Sequence, residues 1–142
     1  MLRIAIVAGG VGGALARHAA AVLAGPAIVS PFPWVTLVVN VCGSWVLGAL
    51  MGLLPATTVT PATRAGLTIG FCGGFTTFST FAYEAVAFAR QGQVREAAAY
   101  VSASLFLGVL AMLAGLGAGA LMVRSRPRLW STGAPRGAEK RP

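Results

Sequence analysis

The sequence predicts an all-α membrane protein with four transmembrane helices and no separate soluble domain. Two observations carry that prediction. Of 142 residues, 56% are hydrophobic and only 10% are charged, a balance foreign to soluble domains. Four apolar stretches, at about 2–24, 33–54, 62–89 and 96–123, each exceed the roughly 20 residues that a bilayer demands. Short links at 25–32, 55–61 and 90–95 join them. The first stretch is too long and too glycine-rich for a signal peptide, and no clear small-residue cleavage site follows it.

The first span carries Gly9, Gly10, Gly12 and Gly13, and Gly9 with Gly13 forms a GxxxG pair for close helix approach. Arg17 lies within this span. A basic residue there either snorkels to the interface or lines an aqueous vestibule that draws in anions. His18 beside it is not taken as a ligand. In the second span Thr36, Asn40, Ser44, Gly48 and Gly52 are spaced four apart. That spacing makes one small, polar face, expected to meet protein rather than lipid. Asn40 is the sole amide within the spans. It is costly there unless satisfied, either as glue between helices or as an NH₂ donor on an ion pathway.

The third span holds the densest pattern, Gly-Phe-Cys-Gly-Gly-Phe-Thr-Thr-Phe-Ser-Thr-Phe-Ala-Tyr-Glu, at residues 70 to 84. As one helix its stretch would be roughly 42 Å long, against ~30 Å of hydrocarbon. The surplus leaves room for a break near Gly73-Gly74, with Thr76 or Thr77 capping the second half. Irregular backbone at membrane depth survives only inside protein or along a watery path, and its free carbonyls and amides can hold ions. Phe78 and Phe81 share a helix face and alternate with Thr77, Ser79 and Thr80. Phenylalanine stripes are commonly plain core. Here, ring edges, which are positive, together with hydroxyl donors can replace the water around a small anion without a fixed charge that would trap it. Glu84 follows near the span's end, where it pairs with a base or lines a vestibule. The fourth span repeats the small polar face with Tyr100, Ser104, Gly108, Gly115 and Gly119.

Six of the eleven basic residues fall between Arg124 and Arg141. The chain therefore divides into a channel-like membrane domain, 1–123, and a basic tail, 124–142, expected to be disordered and to lie against lipid headgroups. No folded module accompanies the tail, so nucleic acid is not expected as a partner. With the tail counted, positive charge favours both termini in the cytoplasm. Cys42 and Cys72 match no metal or disulfide spacing. No catalytic triad, His/Cys cluster, paired carboxylates or phosphate loop is present, so an enzyme is not expected. Four spans are few to enclose a pore, and a homo-oligomer, most simply a dimer, completes one.

Together these motifs resemble the CrcB/Fluc family of fluoride channels over residues 3 to 120. Gly9 through Arg17 is similar to the family's first-span signature, Thr36 through Ser44 to its second, and Gly70 through Glu84 to its third and most specific one. The resemblance implies a passive channel in the inner (plasma) membrane that exports fluoride, built as an antiparallel homodimer with two pores. It implies a sodium ion at the dimer centre, bound by the backbone carbonyls of Gly73 and Thr76. It places Asn40, Phe78, Phe81, Tyr100 and Ser104 along the fluoride path, which the hydroxyls of Thr77, Ser79 and Thr80 join by their alternation with the phenylalanines, and Arg17 and Glu84 at vestibules. Two positions depart from the family pattern. His18 stands where an aromatic residue is usual, and Gly108 stands where a hydroxyl is expected one turn beyond Ser104. The basic tail biases orientation, so a heterodimer with an oppositely oriented relative stays open. The rival readings are a proton-coupled four-helix exporter of the small multidrug type, which lacks its carboxylate in the first span here, and a structural membrane subunit.

Overall fold

The computed structural model describes residues 1–25 and 32–125. Most of the expected basic tail therefore lies outside the described residues, as does most of the first link. Every regular element among the described residues is helical. The long helices are α1 (Leu2–Ala24), α2 (Trp34–Leu53, extended by one tight turn at Leu54–Ala56) and α6 (Val94–Arg124). Each of the three is long and apolar enough to cross a membrane. Between α2 and α6 the chain is helical in pieces: α3 (Pro61–Ala65), a π-helical stretch (Gly66–Cys72), α4 (Gly73–Phe75) and α5 (Phe78–Arg90).

Local chemistry sets these boundaries. Thr60 caps α3 by accepting from the Thr63 N–H, and Pro61 occupies the first helical position, where no N–H is needed. At the other end of the third segment, the Gln93 N–H bonds back to the Phe88 carbonyl and Gly92 takes φ +76°. That left-handed residue stops α5 and turns the chain tightly into α6.

The interruption does not fall on the glycine pair. Gly73 keeps helical angles, φ −66° and ψ −35°. Helical geometry ends after Phe75, with Thr76 at ψ 158° and Thr77 at φ −144°, ψ 112°. Gly74 serves packing instead: a Cβ there would run into the Gly10 carbonyl. Thr77 supplies the cap, accepting from the Thr80 N–H at 3.2 Å.

Packing follows the small-residue faces. Helix α1 lies mainly on the π-helical stretch and α4, and α2 mainly on α6. In the first pair Gly9 sits against the Gly66 carbonyl and Gly13 against that of Phe71, so that a Cβ at either would overlap backbone. In the second pair Gly48 meets the Met112 carbonyl and Gly115 that of Trp45 in the same way. Such close approach gives dispersion contact without any hydrophobic drive, which lipid does not supply. The opposite faces, such as Ile4, Val7, Val11 and Leu15 of α1, are exposed and apolar, as lipid-facing surface must be. An aromatic cluster fills one end of the fold, where Tyr100 is fully buried among Phe32, Phe81 and Phe88.

Candidate functional site

The polar face of α2 meets protein at its expected positions, and Asn40 anchors it. The Asn40 Nδ2 donates to the Thr77 carbonyl at 3.0 Å, and its Oδ1 accepts from the Thr77 N–H at 2.8 Å. The amide thus satisfies both backbone groups of a residue that has left the helix, where hydrocarbon offers no substitute. Its interhelical role uses one amide hydrogen. An amide nitrogen carries two, and Asn40 lines the adjoining cavity.

Next to it, three hydroxyls gather at the start of α5. Thr77 Oγ1 lies 3.0 Å from Thr80 Oγ1, to which it donates, and 3.2 Å from Ser79 Oγ. The Thr77 hydroxyl proton is thereby committed to Thr80, whose own proton is left for another acceptor.

An open cavity of about 530 Å³ lies beside Asn40, between α2, the π-helical stretch, α4, α5 and α6. Its walls are mostly apolar, and none of the residues that line it is charged. Its polar lining residues are Asn40, Ser44, Thr68, Thr76, Thr77 and Ser104. The Ser104 Oγ is buried and has no hydrogen-bond partner among the described residues. An orphan donor of that kind is costly unless something in the cavity takes its proton. Phe78 and Phe81 line the same space with ring centroids 5.6 Å apart and planes tilted by 49°. They differ in exposure: Phe81 is 9% exposed, whereas Phe78 is 77% exposed at the rim, beside the exposed Gly73.

Behind Phe81 lies a second layer. The Tyr100 hydroxyl donates to Glu84 Oε2 at 2.6 Å, and Thr36 Oγ1 donates to Glu84 Oε1 at 2.8 Å. Both carboxylate oxygens are thus held, and the Tyr100 ring packs 5.3 Å from that of Phe81. Arg17 lies elsewhere. With His18, Thr36, Thr77 and Thr80 it lines a separate cavity of about 290 Å³. Glu84 opens onto a third, of about 140 Å³, with Gln91 and Gln93 of the α5–α6 turn.

The structure therefore brings Asn40, Thr77, Phe78, Phe81 and Ser104 to one cavity, together with Gly73 and Thr76. It puts Thr80 and Arg17 in the next, with Thr77 lining both. Tyr100 is buried behind the cavity, and Ser79 is exposed, bonded only within the hydroxyl cluster.

The carbonyls of Gly73 and Thr76 have a feature in common. In a continuous helix they would accept from the N–H groups of Thr77 and Thr80. Those donors are turned instead to Asn40 Oδ1 and to Thr77 Oγ1. Both carbonyls have lost their helical donors, and a Cβ placed on Gly73 would meet nothing within 4 Å. Oxygen acceptors of this kind suit a hard cation.

Sequence reasoning had not singled out Thr36 as the second holder of Glu84, nor Ser44 and Cys72 as cavity walls. The four-residue stripe on α2 contained the signal for Thr36 and Ser44. Nothing in the sequence marked Cys72.

Comparison with known proteins identifies the family. The family described as CrcB-like protein, Camphor Resistance (CrcB), matches residues 4–116. A protein of Rhodospirillum centenum named fluoride-specific ion channel FluC is 42% identical over 118 residues, 80% of this chain and 90% of its own length. Proteins with the same name are 42% identical in Geobacter sulfurreducens, covering 80% of this chain and 92% of the relative, and 43% identical in Chlorobaculum tepidum, covering 76% and 86%. With a family match over most of its length and relatives at this identity, the chain belongs to the CrcB-like family.

Proposed function

We propose that this multi-pass membrane protein is a fluoride-selective passive channel, and not an enzyme, that releases fluoride from the cytoplasm. The observation that carries this reading is the uncharged cavity in which the orphan Ser104 hydroxyl and the Asn40 amide face the phenylalanine pair. Fluoride is small and strongly hydrated, so several donors must replace its water together. Amide, hydroxyls and ring edges can do that without a fixed cation, which allows the ion to leave again. The relatives' name as fluoride-specific channels supports the same reading.

In this mechanism Arg17 raises the local anion concentration in its cavity. Thr77 donates to the Thr80 hydroxyl, and the Thr80 proton that this leaves free helps the ion past the wall that Thr77 shares. Asn40, Phe78, Phe81 and Ser104 hold it in the main cavity. Tyr100 and Thr36 fix the Glu84 carboxylate away from the anion, which keeps like charge out of its path.

Segment 61–90 acts as one discontinuous span, interrupted at Thr76 and Thr77. The working unit is an antiparallel homodimer. A second copy would cover Gly73 and Phe78, which one copy leaves exposed at membrane depth. The Gly73 and Thr76 carbonyls of both copies would hold a sodium ion. When bound, that ion offsets the charge of the nearby anion and ties the two interrupted spans together.

Fluoride efflux from liposomes holding the purified protein, read with a fluoride electrode against chloride in parallel, tests the reading. Rapid fluoride release with little chloride release is expected. No release from folded, inserted protein, alone or with an oppositely oriented relative, would overturn it.

A further inference from the structure

Resting on the channel reading above, we propose that Ser44 is a fluoride-coordinating hydroxyl, supplied by α2 at the level where α6 has only Gly108. Among the hydroxyls that line the main cavity, Thr68 and Thr76 donate to carbonyls of their own segment and Thr77 to Thr80, while the buried Ser104 hydroxyl is unpartnered. One hydroxyl does not replace the water around a small anion, so the ion needs another donor close by. Four residues on from Ser104, one helical turn, α6 presents Gly108, which has no side chain. A Cβ placed at Gly108 would find one atom within 4 Å, the Ser44 Oγ at 3.8 Å. The α2 hydroxyl therefore stands at the empty position, on the wall of the same cavity.

The Ser44 proton is available. Its hydroxyl donates to the Asn40 carbonyl at 2.7 Å. That carbonyl lies inside α2, where its ladder donor is the Ser44 N–H. The hydroxyl is a second donor on an acceptor already served, so turning it away leaves no carbonyl stranded. When an anion enters, the side chain rotates and donates its hydrogen bond to the ion, and it returns to the carbonyl when the ion leaves.

The test is fluoride efflux from liposomes with wild type, Ser44→Ala, Gly108→Ser and the double variant. A serine fits at 108, because only the Ser44 Oγ lies near its Cβ. Loss of one donor to an ion is expected to slow efflux by about tenfold in Ser44→Ala. The double variant returns to within about threefold of wild type, because the hydroxyl is restored from the opposite helix. A serine that merely back-bonds to its own helix is not replaced from α6, so rescue separates the two roles. Wild-type rates in Ser44→Ala, or a folded double variant as slow as the single one, would overturn the proposal. Should Ser44→Ala prove unstable in detergent, Ser44→Cys keeps the volume with a weaker donor. Its efflux falls if the proposal holds, and an unchanged rate overturns it. If wild type itself carries no fluoride, the channel reading fails and this inference falls with it. A wild type that conducts beside an unaffected Ser44→Ala defeats the inference alone.

Discussion

Replacing Asn40 by alanine removes both hydrogen bonds that hold Thr77 where the helix is interrupted, at 3.0 and 2.8 Å. Two bonds at roughly 1 kcal/mol each come to about 2 kcal/mol. Side-chain bonds inside membrane proteins average nearer ~0.6 kcal/mol, which sets a lower figure of about 1 kcal/mol. Thr77 is buried, so its N–H and carbonyl would be left without partners, which raises the upper figure to about 4 kcal/mol. Denaturant titration in mixed micelles measures the loss, with fluoride efflux as the second readout. Asn40→Asp is the informative companion. It keeps an acceptor for the Thr77 N–H but loses the donor to the carbonyl, and an ionised carboxylate would repel an anion. We expect Asn40→Ala to lose stability and flux together, and Asn40→Asp to lose flux even where much of the protein remains folded. A loss in Asn40→Ala below about 0.5 kcal/mol, the size of an ordinary surface change, would refute the clamp.

Other expected outcomes address single features. Phe78→Ile removes a ring edge from the cavity rim but keeps an apolar side chain there, so efflux should fall by at least about tenfold while the protein still folds and assembles; unchanged flux would remove the ring from the mechanism. Tyr100→Phe deletes the 2.6 Å bond to Glu84, and a bond to a carboxylate of about 1.5–3 kcal/mol should be missing from the unfolding free energy. Gly9→Ala drives a Cβ into the Gly66 carbonyl and should cost about 1–3 kcal/mol or prevent folding, whereas Gly117→Ala, with nothing within 4 Å, should be neutral or gain a few tenths.

The four-residue stripe on α2 shows how far the sequence could be read. Spacing alone put Thr36, Asn40, Ser44, Gly48 and Gly52 on one protein-facing side, and the structure finds Glu84, Thr77 and α6 against it. Gly9 and Gly13 were legible in the same way, since close approach demands small residues at a fixed interval. Helical angles stop at Thr76 and Thr77, just past the glycine pair at which the sequence offers a break. A glycine pair signals either a break or a close contact, and only the position of α1 decides that Gly74 makes the contact. The π-helical stretch Gly66–Cys72 left no mark, because its residues suit an α-helix as well. Partner choice was also hidden. Whether the Asn40 amide bonds backbone or an ion depends on where Thr77 lies in space, which spacing along one helix does not encode.

The most direct test of a passive, fluoride-selective pathway is the reversal potential of current through the purified protein in a planar bilayer under opposed fluoride and chloride gradients. The account expects reversal near the fluoride equilibrium potential, insensitive to a pH gradient. Reversal that follows chloride, or that moves with the proton gradient, would contradict it.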